Sequence, residues 1–226
     1  MNRYSRQIML SDIGEAGQEK LQQASVLIVG VGGLGSPISL YLTGCGVGRI
    51  GIVDGDTVDE SNLHRQVVYS EREIGQSKTF TAAEHLRSLN SNVQIDTYDT
   101  RLTEANAEEI IGRYDVIVDG TDNADARYLI DATCAKLAKP YVYGAVCEYT
   151  GQVSVFNYNG GGRYSDLFPK ASTQAKVYGL FGVLPGVIGS LEANEVIKII
   201  TGVGEVLSGK LFTINLLTLR THILQC

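Results

Sequence analysis

The chain has 226 residues, 44% of them hydrophobic and 19% charged, with a formal net charge of −6. That length and balance suit a single domain, 1–226, with a sizeable core, and the acidic sign supplies no basic face for nucleic acid. No apolar run is long enough to cross a membrane, Met1-Asn-Arg-Tyr lacks the apolar stretch of a secretory leader, and the four scattered cysteines fit a reducing compartment, so a cytoplasmic protein is expected.

Taken in chain order, the first strong signal is Val26–Gly30, an apolar run that reads as a buried parallel strand. Gly30, Gly32, Gly33 and Gly35 then allow a tight turn and close approach of backbone to a ligand. The helix that follows, Leu34 to about Gly46, points its free N–H groups and positive dipole end at whatever occupies the turn, which favours a phosphate. Tight strand-to-helix packing would also use such glycines.

Arg49–Asp54 reads as the second strand, ending in a carboxylate roughly 20 residues beyond the glycines, where a ribose hydroxyl is held in dinucleotide sites. A nicotinamide or flavin enzyme is the first inference. Asn62, Arg65 and Lys78 argue against it, because a guanidinium and an ammonium converging on a phosphate chain stabilise charge that develops as a phosphorus–oxygen bond breaks. Alone, either cation would read as solvated surface charge.

Val93–Tyr98 and Asp115–Asp119 continue the strand series. Asp119, Asp122 and Asn123 fall at the C-terminal edge of the latter, the edge outside which open α/β sheets bind ligands. Asp122 suits a magnesium ion that bridges phosphates and keeps its waters. Either Asp122 or Asn123 also suits the cap of the next helix.

Tyr141–Ala145 is the last parallel candidate. Gly151–Tyr158, Leu211–Asn215 and Leu219–Leu224 suggest an antiparallel extension. The expected fold is α/β, a doubly wound, mostly parallel Rossmann-like sheet with a C-terminal antiparallel extension. Asn159 through about Val177 reads as a long loop, and Pro185 opens an apolar helix running to Ile200. Tyr141, Tyr143, Tyr149 and Tyr158 read as half-buried strand residues, and Cys45, Cys134 and Cys147 as core thiols.

Gly30-Val-Gly-Gly-Leu-Gly-Ser36, Asp54 with Asp56, Ser61-Asn-Leu-His-Arg-Gln66, Gly75-Gln-Ser-Lys78 and Thr121-Asp-Asn123 together resemble the ThiF/MoeB/HesA family, bacterial relatives of ubiquitin-activating enzymes. Arg3-Tyr-Ser-Arg6-Gln-Ile8 and Gly182-Val-Leu-Pro-Gly-Val-Ile-Gly-Ser190 extend the likeness over nearly the whole chain. The resemblance implies adenylylation by ATP and Mg²⁺ of a small ubiquitin-fold sulfur-carrier protein ending in Gly-Gly, in a thiamin or molybdopterin sulfur-transfer pathway. It implies a nucleotide-binding set of Gly30, Gly32, Gly33, Gly35, Asp54, Asp56, Asn62, Gln66 and Asn123. Arg65 and Lys78 act on the phosphate chain, Asp122 holds magnesium, and Arg6 reaches the partner's site across a homodimer.

Two departures stand beside the likeness. The stretch Arg163-Tyr-Ser-Asp166-Leu-Phe-Pro169 carries no cysteine where relatives have the first pair of a zinc site, and the second pair is missing, so no zinc is expected. Ala175 falls near the position where some relatives carry a thioester-forming cysteine, so the reaction is expected to stop at the acyl-adenylate. Glu148 lies near the expected tail channel with no assigned role. A tRNA threonylcarbamoyl-adenosine dehydratase, a nicotinamide-dependent dehydrogenase and a degenerate scaffold are the rival readings.

Overall fold

The computed structural model describes residues 3–170 and 178–226. A short helix α1 (Ser5–Ile8) and helix α2 (Gly14–Gln23) precede strand β1 (Ser25–Val29), helix α3 (Gly35–Cys45) and strand β2 (Arg49–Val53). Two 3-10 turns, Glu60–Asn62 and Glu71–Glu73, lead to α4 (Lys78–Leu89) and β3 (Gln94–Tyr98). Then follow α5 (Ala107–Gly112), β4 (Val116–Asp119), α6 (Ala124–Leu137), β5 (Tyr141–Cys147) and β6 (Thr150–Phe156). The one-turn α7 (Tyr164–Leu167), α8 (Leu184–Thr201), β7 (Lys210–Asn215) and β8 (Arg220–Gln225) complete the order.

The strands form one eight-stranded sheet in the order β3-β2-β1-β4-β5-β6-β7-β8. β1 to β5 are parallel and β5 to β8 antiparallel, as the period-two pattern after Gly151 predicts. The chain reverses its direction of winding between β1 and β4, so the crevice outside these two strand ends is the topological switch point.

β1 is apolar throughout because both its faces are covered. Val26 and Ile28 pack on the side of α3, α4 and α8, whereas Leu27 and Val29 pack with Ile110, Ile111 and Ile130 on the side of α5 and α6. α8 lies directly on α3: a Cβ on Gly189 would stand 2.5 Å from Leu34 O, so only glycine permits this approach.

Several boundaries differ from expectation for local reasons. β1 ends at Val29 because Gly30 adopts φ +90, and β6 ends at Phe156 because Asn157 adopts φ +53. Tyr158 therefore lies outside the strand, and Leu219, at φ +54, belongs to the turn before β8. Tyr141 and Tyr143 are fully buried rather than half-buried, and Tyr149 is exposed at the tip of the β5–β6 hairpin. β5 runs to Cys147 at this tip, so Cys147 is exposed and not a core thiol; Cys45 is half-buried and only Cys134 is fully enclosed.

The expected loop from Asn159 contains a helical turn, α7, anchored by Tyr164. The Tyr164 ring packs edge-on to Tyr128 at 5.2 Å and against Tyr143 and Phe168 at 5.3 and 5.0 Å. Residues 171–177, including the Ala175 position, lie outside the described residues. Among the described residues no helix is long and apolar enough to cross a membrane.

Candidate functional site

The glycine turn is closed by its neighbours before any ligand is considered. Gly30 donates its N–H to Val53 O at 2.7 Å, and Gly120 donates to Val29 O at 2.7 Å. A Cβ on Gly35 or on Gly120 would stand 2.1 Å from Gly30 O, so Gly30, Gly35 and Gly120 are required for the crossing of the two turns. Gly30 and Gly35 pack backbone against backbone, and the open side of the turn belongs to Gly32 and Gly33.

That open side is where the charged residues gather. A Cβ on Gly33 would lie 3.5 Å from Arg65 Cδ and 3.1 Å from Pro185 Cβ, and one on Gly32 would lie 3.4 Å from Gln66 Nε2. The 3-10 turn that delivers them is capped by Asp59, whose carboxylate accepts from Ser61 N at 2.8 Å. Arg65 is oriented by donation to Asn62 Oδ1 at 2.7 Å and to Ser61 O at 3.3 Å. Gln66 is buried, and its Oε1 has no partner.

Asp54 holds the turn from the β2 side. Its carboxylate accepts from Val31 N and Asp56 N, both at 2.9 Å. Burial raises its pKa above the usual carboxylate value, opposed by these two N–H bonds and by the nearby Lys78 cation. Lys78 begins α4, where the Ser77 hydroxyl accepts from Phe80 N at 3.4 Å. It is buried, with its ammonium 3.6 Å from Asp56 Oδ2. Tyr69, which the sequence reading passed over, joins the two elements: its hydroxyl lies 2.9 Å from Val31 O and 3.1 Å from Lys78 O.

At the end of β4 the three polar residues separate. Asp119 turns inward, fully buried, and is paired with Arg127 Nε at 2.9 Å. Asn123 caps α6, its side-chain oxygen accepting from Ala126 N at 2.9 Å. Asp122 caps nothing. Its carboxylate is exposed at the switch point with no hydrogen bond or ion pair among the described residues, which suits a single hard cation that keeps most of its waters.

Arg6 is not brought to this site within the chain. It is exposed on α1 and unpaired among the described residues, while the neighbouring Gln7 donates to Cys45 O at the far end of α3. The ten-residue rise from Gly35 to Cys45 separates the two ends of that helix by roughly 15 Å.

A cleft of about 460 Å³ adjoins the site, lined by Glu148, Tyr149 and Gly179–Gly182. Glu148, at φ +51, ties this segment down by donating to Gly179 O and accepting from Phe181 N, both at 3.0 Å. Gly182 lies on His64, where a Cβ would stand 2.8 Å from the backbone oxygen.

A glycine turn at the switch point of a doubly wound sheet, ringed by Asp54, Arg65, Gln66 and Lys78, defines an α/β protein of the nucleotide-site class. Comparison with known proteins sharpens this. The ThiF family pattern matches residues 4–226, and the chain belongs to that family. It is 46% identical over 228 residues to the Zea mays adenylyltransferase and sulfurtransferase MOCS3-1, covering 99% of this chain and 49% of that protein. The chain thus spans about half the length of this relative. It is 44% identical to the sulfur carrier protein adenylyltransferase of Thermus thermophilus, covering 93% of this chain and 82% of that one. Among solved structures, E. coli MccB with ATP superposes with a TM-score of 0.89 at 24% identity, covering 99% of this chain and 71% of MccB, a likeness of fold.

Proposed function

We propose that the chain is an ATP-dependent adenylyltransferase that activates the C-terminal Gly-Gly carboxylate of a small ubiquitin-fold sulfur carrier. A carboxylate oxygen attacks the α-phosphorus of ATP. The bond from that phosphorus to the bridging oxygen breaks, and the electron pair leaves with pyrophosphate. Such transfers depend on positioning and charge stabilisation, so no protein nucleophile is needed.

The observation that carries this reading is the placement of Arg65 and Gln66 on the open side of the turn, with buried Lys78 near Asp54. Hydride transfer has no use for that set. Asp54 receives the ribose, and Gly32, Gly33, Asn62, Arg65, Gln66 and Lys78 receive the phosphates. Asp122 holds a magnesium ion, which when bound neutralises phosphate charge. Arg6 enters the site of a second copy in a homodimer.

The names of the relatives support the carrier. The Thermus protein is a sulfur carrier protein adenylyltransferase, and a Porphyra purpurea relative, 45% identical, is a probable molybdopterin-synthase adenylyltransferase. A molybdopterin-type carrier is therefore the first to assay and a thiamin-type carrier the second.

ATP–pyrophosphate exchange with purified carriers tests the proposal. Exchange that requires an intact Gly-Gly terminus is expected. Binding of NAD but not ATP in calorimetry would instead make the chain a dehydrogenase, and ATP-dependent modification of tRNA without any carrier would make it a dehydratase.

A further inference from the structure

Arg127 is absent from the nucleotide set above, yet its side chain is only 14% exposed and it donates to Asp119 and Thr121, at the start of the loop that presents Asp122, as well as to β5. Nε donates to Asp119 Oδ2 at 2.9 Å, and one terminal nitrogen donates to Thr121 O at 2.9 Å and to Gly144 O at 3.3 Å. The guanidinium also lies over the Tyr143 ring, 5.4 Å from its centroid. Asp119, in turn, accepts from Thr121 N at 2.8 Å, Thr121 Oγ1 at 2.6 Å and Tyr141 OH at 3.1 Å.

Both peptide groups of Thr121 are therefore pinned, the N–H by Asp119 and the carbonyl by Arg127. The carbonyl of Thr121 shares a rigid plane with the N–H and Cα of Asp122, so holding one orients the other. On the far side Asn123 is fixed as the cap of α6. Asp122 is thus a free carboxylate between two immobilised residues. A buried ion pair is a poor source of stability against well-packed apolar side chains, so Asp119 and Arg127 are better explained by the loop geometry they specify.

We propose that Arg127 is a positioning residue of the magnesium–nucleotide site. Through Thr121 it sets the direction in which Asp122 meets the metal. The proposal rests on the reading that Asp122 holds magnesium. The planar fork matters as well as the charge: a lysine can sit beside Asp119 but cannot span Asp119, Thr121 O and Gly144 O together.

The test is calorimetric titration of ATP into wild type, Arg127→Lys, Asp122→Asn and the double variant carrying both substitutions, each with excess Mg²⁺ and with excess chelator. Arg127→Lys is expected to lose tenfold or more of the affinity that Mg²⁺ adds, with less than a threefold change in chelator. The double variant should lose no more of that increment than Asp122→Asn alone. If Arg127→Lys does not fold, the charge-neutral pair Asp119→Asn with Arg127→Gln is measured in its place, with the same expectation. A wild-type Mg²⁺ increment, or an equal loss with and without Mg²⁺, would overturn the positioning role. An undiminished increment in Asp122→Asn would instead sink the assignment of magnesium to Asp122 and leave the clamp without a purpose.

Discussion

The Lys78 ammonium lies 3.6 Å from Asp56 Oδ2, and the two differ sharply in environment: the Lys78 side chain is 7% exposed and that of Asp56 is 50% exposed. Asp56 is shared with Arg101, whose terminal nitrogen is 3.0 Å away. A cation buried against a loosely held, shared carboxylate can exchange that partner for a polyphosphate without being stripped of a strong one. Lys78→Ala is therefore expected to lower carrier-dependent ATP–pyrophosphate exchange by about a hundredfold or more, the scale of losing one charge-stabilising donor. Asp56→Asn should lower it by less than about tenfold. Equal losses in the two variants would mean that the pair acts as a structural unit.

The proposed reach of Arg6 into a second copy gives the quaternary counterpart. Each single variant, Arg6→Ala or Lys78→Ala, is expected to be nearly inactive. Co-refolded mixtures should recover activity, because a mixed dimer holds one site with both wild-type residues. With random pairing half the dimers are mixed, and each contains one competent site. Recovery near a quarter of wild-type activity per chain is the expected outcome, and none at all would confine Arg6 to its own subunit.

The cysteines give a chemical check on the acyl-adenylate end point. Burial pushes the Cys134 thiol far above its usual range and also raises that of Cys45, while Cys147 and Cys226 are exposed. Iodoacetamide on the native protein should label Cys147 and Cys226 first and Cys134 only on unfolding. Cys147→Ser should keep exchange within about twofold of wild type, since adenylylation needs no thiol. A carrier–protein conjugate that forms with ATP, survives denaturation, is released by thiol and is absent from Cys147→Ser would reopen the question of a covalent carrier intermediate.

How much of this was legible in the sequence follows from how local each signal is. The parallel strands, the glycine turn, Asp54 and the cation-bearing crossover are carried by contiguous residues, and their positions hold to within a residue or two. Asp122 and Asn123 exchange roles within one residue of helix register, which capping preference alone does not resolve. Tyr69 and Arg127 escaped notice because their meaning lies in backbone carbonyls of other segments, Val31 and Lys78 for one, Thr121 and Gly144 for the other. At Gly30 and Gly35 the sequence does not separate close backbone packing from close ligand approach, because both call for the same residue.

Glu192 is the least expected feature of the core, and it fixes the sign of a pH effect. It is fully buried in α8, neither carboxyl oxygen has a partner, and the group lies against Gly144, where a Cβ would stand 2.2 Å from its Cδ. Burial, reinforced by Asp119 and opposed by Arg127, pushes its pKa well above the carboxylate range, so the folded state keeps the proton. The unfolded chain releases it above about pH 4. The folded state then binds more protons than the unfolded one, and this group's contribution to stability falls as pH rises toward the folded pKa. Glu192→Gln is nearly isosteric and has no proton to lose, so the added amide donors shift its stability by a pH-independent amount. Urea midpoints measured upward from pH 5 should therefore show the variant gaining on wild type as pH rises toward the folded pKa, with a slope on the order of 1 kcal/mol per pH unit at most. Parallel profiles over that range would show that Glu192 is ionised in the folded protein and carries a partner that compensates it.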